Sequence, residues 1–375
     1  MQQLGLNNDV LVGGRRFHVQ TAYTEGTGAI ISHIFDSGRI VDKQEIVVEG
    51  DANGEALPGK LNAVHQEMIS EMEMLFNIAE KVRQAKHAGS CNKLGLLFLH
   101  KNLFDDAVLQ FQSAIALDRE LIQAYKNLGI AFVMKGDFAA AEETLGRGVE
   151  LADNYADFYN YMGLAQLEQK KYEESLRSLR TALELNPEYF DAHFNMALLL
   201  VRTLAENVVQ DFLPSPEERA QRSVDHLARA YDGASSYHNP RVEKAIQSVS
   251  DNAYAPAQIE LDMVKQDVRP EVDKLFEHEF FLKFMYGGKG KDEAFIERYA
   301  ENLRAAIREY PEYADLHNNL GVANLIQCRN LFVRALEEFR QALAINPGFK
   351  RAEKNLKLAE NDGKGFLILL RAIMK

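Results

Sequence analysis

The chain has 375 residues, more than a single hydrophobic core usually organises, and its 46% hydrophobic and 26% charged content excludes wholesale disorder. Its 43 Lys and Arg against 55 Asp and Glu leave a formal charge of −12, so nucleic acid and anionic lipid are not expected as partners. The two cysteines, Cys91 and Cys328, stand far apart with no CxxC or Cys/His ligand spacing and read as buried thiols of a reducing compartment.

The opening residues, "MQQLGLNNDVLVGGRRFHVQ", carry no signal-peptide core and no early lipid-accepting cysteine, so a cytoplasmic location is expected. Over residues 1–56 the pattern alternates. Phe17, Val19 and Thr21 interleave with His18, Gln20 and Ala22, and glycine turns fall at Gly13-Gly14, Gly26 to Gly28 and Ser37-Gly38. Three or four antiparallel strands are predicted. So small a sheet rarely stands alone, so it is expected to dock on the next helix or to pair an edge with another chain. Residues 57–88 then place Leu61, Met68, Met72, Leu75, Phe76, Ala79 and Val82 on one stripe, which predicts a long leading helix with Gly89 near its end.

From 89 to 233 one phrase keeps returning. Gly95, Gly129, Gly163 and Ala197 each follow the last by 34 residues, within "CNKLGLLFLHKNLFDDAVLQFQSAIALD", "YKNLGIAFVMKGDFAAAEETLGRGVELA", "YNYMGLAQLEQKKYEESLRSLRTALELNP" and "FNMALLLVR". A small residue on one helix facing another (Ala107, Ala141, Ser175) lets two antiparallel helices approach closely, while Leu94, Phe98, Phe111, Leu128, Phe132 and Leu145 fill the space between. After Ala197 the period fails, with about 14 residues near "TLAENVVQDFLPSP" inserted before "ERAQRSVDHLARAYDG". Residues 234–268 carry no repeat phrase and read as an irregular interruption with one short amphipathic helix after Pro240. Residues 269–361 then read as a diverged helical pair, a last repeat with Gly321 and Ala335 in the packing places, and a charged capping helix.

This period and phrase resemble the tetratricopeptide repeat, a helix-turn-helix unit. The resemblance implies a mainly α fold: a right-handed tetratricopeptide solenoid carrying a small N-terminal antiparallel β module. The phrase "FHVQT…GAIISHIFDSGRIV" is itself similar to a β module at the front of uncharacterised bacterial proteins of the same family. The family's usual binding face is the concave surface of the first helices, which takes an extended peptide or partner helix. With the small residue of each unit in the eighth place, the sixth holds Asn127, Asn195 and Asn319 and the fifth holds Asn160. In related superhelices asparagines at such places bond a bound peptide's backbone, because an amide offers donor and acceptor together. Ile130, Leu164 and Leu198, in the ninth place, form an apolar floor or pack on neighbouring helices. The family's carboxylate clamp is not reproduced, since Asn92 and Leu96 stand where Lys and Asn are wanted.

No catalytic, cofactor or metal residues emerge. "YGGKGKDEAF" lacks the spacing of a phosphate loop and follows a helical stretch, "FEHEF" sets Glu277, His278 and Glu279 pointing in different directions, and GxSxG, HExxH and GxGxxG are absent. The apolar "GKGFLILLRAIMK" of 362–375 is too short to span a bilayer; it folds over the last face of the array as a cap or, through 364–375, mediates self-association. The expected function is therefore a non-enzymatic adaptor that binds a protein or peptide partner in its groove. The alternative is an accessory subunit of an enzyme or envelope assembly machine in which the β module makes the specific contact.

Overall fold

A computed structural model describes residues 5–48, 56–268 and 275–360, and the statements below concern those residues. The chain divides into two compact units, Met1–Glu279 and Phe280–Lys375.

The first unit begins with four strands, β1 (Gly5–Val12), β2 (Arg15–Thr24), β3 (Ala29–Asp36) and β4 (Arg39–Val47), paired antiparallel in the order β1-β2-β3-β4. Alternation puts Phe17, Val19 and Thr21 of β2 on a fully covered face. That face rests on α1 (Ala56–Ala85), whose His65 reaches Thr21 at 2.8 Å through Nδ1 and Asn8 at 3.1 Å through Nε2. Phe76 of α1 packs between Phe17 and Phe98, its ring tilted against both with centroids 5.6 and 5.5 Å apart. Gly13 lies against the same ring: at its φ of +58° a side chain would be strained, and a Cβ there would meet Phe76 at 2.5 Å. The sheet thus docks on the leading helix. That helix ends at Lys86, whose φ of +52° turns the chain, while Gly89 falls inside the first turn of the next helix, contrary to the sequence reading.

The helical pairs follow: α2 (Ala88–His100) with α3 (Phe104–Leu117), α4 (Ile122–Lys135) with α5 (Phe138–Leu151), α6 (Ala156–Glu168) with α7 (Tyr172–Leu185), and α8 (Phe190–Ala205) with α9 (Pro216–Gly233). They form a helical solenoid in which each second helix also packs on the next first helix. The repeated glycines permit the close approach: a Cβ on Gly95, Gly129 or Gly163 would meet Phe111, Leu145 or Leu179 at 2.5, 2.3 or 2.7 Å. Each pair turns on one left-handed residue, namely Asn102, Gly136, Lys170 and Asn207. Arg15–Asp106 at 2.7 Å and Lys101–Asp42 tie the sheet to the first pair.

Residues 234–268 are not irregular. A 3-10 turn at Ser235–Tyr237 leads into α10 (Pro240–Ser250) and α11 (Tyr254–Asp267), joined by left-handed Asn252. α10 packs on the second helix α9 as the earlier first helices do on theirs, but α11, rather than α10, lies against the first helix α8. Residues 192–204 of α8 are consequently buried on every side, and the polar side chains among them, His193, Asn195, Arg202 and Thr203, are each hydrogen-bonded.

The second unit takes in the end of α12 (Leu275–Met285), then α13 (Glu293–Glu309) and α14 (Ala314–Ile345). Phe280 stacks on Tyr299 of α13 with ring centroids 3.6 Å apart, and Ile296, Ala300 and Leu303 of α13 are fully covered. The "GGKGKD" stretch is a turn between helices, closed by Asp292 accepting from the Phe295 amide at 3.0 Å. The last repeat departs from the sequence reading: α14 runs unbroken for 32 residues, so the expected helix pair is one helix, and Gly321 and Ala335 are both exposed. Residues 350–360 are helical, and the apolar 362–375 segment lies outside the described residues. No helix among the described residues is long and apolar enough to cross a membrane.

Candidate functional site

The first helices α4, α6 and α8, together with α11, enclose an open groove with a cavity volume of about 630 Å³. Asn160, Leu164 and Asn195, all buried, form its floor, and it is lined further by the aromatic Tyr161, Phe194 and Tyr237 and by Val133, Met134 and Phe138. Charges of both signs surround it, with Lys135 and Lys265 against Glu168, Asp191 and Asp267.

The groove helices are stapled to one another by side chains. Asn127 Nδ2 donates to Asn92 Oδ1 at 3.0 Å, Lys126 pairs with Asp157 at 3.0 Å, and Asn195 Nδ2 donates to Asn160 Oδ1 at 2.9 Å. Asn160 in turn donates to the Tyr189 hydroxyl at 3.4 Å. Tyr237 donates to Asp191 at 2.8 Å. Burial first, and neighbouring negative groups after it, push the Tyr161, Tyr189 and Tyr237 phenols far above their usual range, so all three remain neutral donors.

Across the far end, Arg202 of α8 reaches Glu168 of α6 at 3.1 Å and Asp262 of α11 at 2.7 Å, while Lys265 of α11 meets Glu168 at 2.7 Å. Burial alone would raise the Glu168 carboxyl, but the Lys265 ammonium and the Arg202 guanidinium outweigh it and hold the group below the usual carboxylate range. This cluster fixes α11 as one side of the groove.

The structure brings Asn160, Leu164 and Asn195 together at the floor. Asn127 lies one helix away with 5% exposure, its amide engaged with Asn92. Ile130 is buried, and Leu198 at 0% exposure has no surface to offer, so both pack between helices. Asn319 stands half-buried on α14 in the second unit. Tyr161, Glu168, Asp191, Tyr237 and Lys265 were not singled out in the sequence; only the shared first-helix phase could have pointed to the first three, and nothing local marks the others.

Behind the groove, His193 of α8 and His226 of α9 meet Nδ1 to Nδ1 at 2.7 Å, and His193 Nε2 donates to the Pro187 carbonyl at 2.9 Å. That donation leaves His193 Nδ1 as the acceptor and His226 Nδ1 as the donor, so a second proton on His193 would break the contact. Burial, then His193 and Arg229, press His226 down to about 4. The unfolded chain therefore takes up protons before the folded one. Stability from this pair is complete above 6.5 and is lost as pH falls from 6.5 towards 4. Urea unfolding followed across that window is expected to show a loss of about 3 kcal/mol. A His226→Gln variant would flatten the dependence, and an equally steep profile in the variant would exclude the pair as its source.

Among the described residues no group of three His, Cys, Asp or Glu side chains could hold a metal ion. Comparison with known sequences matches a family profile described as "TPR repeat" to residues 167–203, and one described as "Tetratricopeptide repeat" to residues 92–157 and 300–348. The chain is 24% identical over 233 residues to the human Protein O-mannosyl-transferase TMTC1, covering 62% of this chain and 24% of that protein. It is 29% identical over 118 residues to the bovine BBSome complex member BBS4, covering 32% and 22%. The chain therefore spans about a quarter of the length of these relatives. Among solved structures, PilF of Pseudomonas aeruginosa aligns at 19% identity and a TM-score of 0.36 over 61% of this chain and 95% of that one. YrrB, described as a TPR protein with an unusual peptide-binding site, aligns at 16% and 0.34 over 54% and 96%.

Proposed function

We propose that this tetratricopeptide-repeat protein is a non-enzymatic adaptor that holds an extended segment of a partner protein in the groove between α4, α6, α8 and α11. The observation that carries the reading is the groove itself. A floor of Leu164 flanked by the amides of Asn160 and Asn195, with aromatic and aliphatic side chains beside it, is ringed by charges of both signs, and its helices are stapled so that little is left to order on binding. Asn160, Leu164 and Asn195 contact the segment from below, while Asn127, Ile130 and Leu198 hold the helices that carry them. Asn319 is assigned the equivalent place on the last repeat. Residence in the cytoplasm belongs to the same reading, since Cys91 and Cys328 are both free thiols, Cys91 buried as expected and Cys328 exposed, contrary to the sequence reading.

The test is site-directed photocrosslinking with the full chain in native extract. A crosslinker replacing Met134, which lines the groove, is expected to trap a discrete set of proteins, lost when Leu164→Trp fills the floor. The same crosslinker at Arg147, on the second-helix row, should trap none of that set. Equal adducts at both places would overturn the groove reading. A second reading rests on the sheet, where β1 and β4 are the edge strands and Leu11 and Val47 are 76% and 68% exposed. Adducts confined to a crosslinker at Leu11 would support it instead.

A further inference from the structure

The last repeat contains the parts of a helical hairpin but is not folded as one. Residues 330–346 repeat 102–118: "NLFVRALEEFRQALAIN" stands against "NLFDDAVLQFQSAIALD". In the first copy Asn102 takes a left-handed turn with φ +55°, α3 folds back on α2, and Ala107, Phe111 and Ala114 are completely covered. In the last copy Asn330 is inside a helix. Ala335 is exposed, Phe339 and Ala342 are half-exposed, and no residue from 331 to 345 is buried.

The reason for the difference is local. Asp105 and Asp106 begin α3, where carboxylates favour a helix N-terminus, whereas Val333 and Arg334 occupy those places in the last repeat, and Arg334 opposes the dipole a new helix would have. The spacing from the glycine to the small residue has also grown, from 12 residues between Gly95 and Ala107 to 14 between Gly321 and Ala335. Continuing the helix separates two halves that remain complementary. Gly95 lies under Phe111, but among the described residues nothing comes within 4 Å of the place a Cβ on Gly321 would take. Asn330 Nδ2 is buried without a hydrogen-bond partner among the described residues. α13 already packs along α14 as α3, α5 and α7 pack on α4, α6 and α8, with Arg334–Glu293 at 2.7 Å, so the face left open on 314–328 is the one a second helix would cover.

We propose that α14 is an opened repeat hairpin that closes by exchange with a second copy of this chain, residues 331–345 of each copy seating on 314–328 of the other about a two-fold axis. A collinear helix cannot fold its second half onto its first. The complement that 331–345 requires is a helix whose glycine admits the ring of Phe339, as Gly95 admits Phe111 in the first repeat. Residues 314–328 carry that glycine, and the second copy supplies it reciprocally. The apolar 364–375 segment offers no glycine-centred repeat phrase to take its place.

The experiment is analytical ultracentrifugation of the full chain across a wide concentration range, with three variants. The unsubstituted chain is expected to be a dimer. Gly321→Leu meets open space within a single copy but would collide with Phe339 of the other, so it should lose the dimer while keeping the helicity and unfolding midpoint. Arg329→Gly/Asn330→Gly, which frees the hinge to turn back, should shift the protein to monomer with no loss of helix. A chain that is monomeric throughout, or a dimer unaffected by Gly321→Leu, would overturn the proposal. Loss of the dimer on removing 362–375 with Gly321→Leu still dimeric would overturn it in favour of the C-terminal segment.

Discussion

Valine in place of Gly148 is expected to destabilise the first unit by about 3 kcal/mol, while alanine in place of Gly146, two residues earlier on α5, stabilises it by about 1 kcal/mol. A Cβ on Gly148 would lie 2.1 Å from Cε1 and 2.6 Å from Cζ of Phe158. Phe158 is fully buried at the contact between α5 and α6, and an aromatic ring cannot bend out of the way as the end of a flexible side chain can. Relief would require α6 to move, and with it Asn160, Tyr161 and Leu164 of the groove. A Cβ on Gly146 meets nothing within 4 Å, so only the helix preference of alanine over glycine is left to act. Thermal or urea unfolding of the two variants checks the pair. Equal midpoints would mean that α5 and α6 are not in close contact at Gly148.

Removing the guanidinium of Arg202 is the second large effect. Arg202→Ala is expected to cost about 3 kcal/mol, at the low end for breaking a buried ion pair because Lys265 stays on Glu168. Arg202 has 6% exposure and joins three helices, so its loss leaves Asp262 without its closest cation and detaches α11 from α6 and α8. Hydrogen exchange should accelerate over 254–268 before it does in α4 or α6. Asp262→Asn in the same chain should recover part of the loss, because it neutralises the carboxylate that Arg202 leaves behind, and the coupling in a double-mutant cycle measures the pair itself. Unchanged exchange in α11 would show that its apolar face, through Leu261 and Val264, holds it without the ion pairs.

The repeat was legible because the physics behind it is local and recurs. A glycine that must pass under Phe111, Leu145 or Leu179 returns at the helical place where two helices cross, and no larger residue fits there. The strand alternation of Phe17, Val19 and Thr21 was legible for a similar reason, because a pleated strand shows one face to α1 and the other to water. The asparagines were found by position, but their partners were not. Asn127 and Asn195 donate to Asn92 and Asn160 across neighbouring helices, and a spacing of 35 residues between amides carries no signal of a bond until two units are stacked.

The sequence by itself determined the kind of unit, its number of residues and its phase, since these depend on contacts within one turn or one hairpin. Only the tertiary structure decided three matters. The placing of α11 rather than α10 beside α8 depends on which helix best covers the apolar surface of α8, a contact between residues some 60 apart such as Arg202 and Asp262. The groove charges converge from α4, α6, α8 and α11, and no single segment contains them. The unbroken course of α14 turns on a balance between a left-handed turn at Asn330 and one more helical turn. Two chain segments that begin with the same Asn-Leu-Phe resolved it oppositely, because the residues that follow favour a new helix start in one and not in the other.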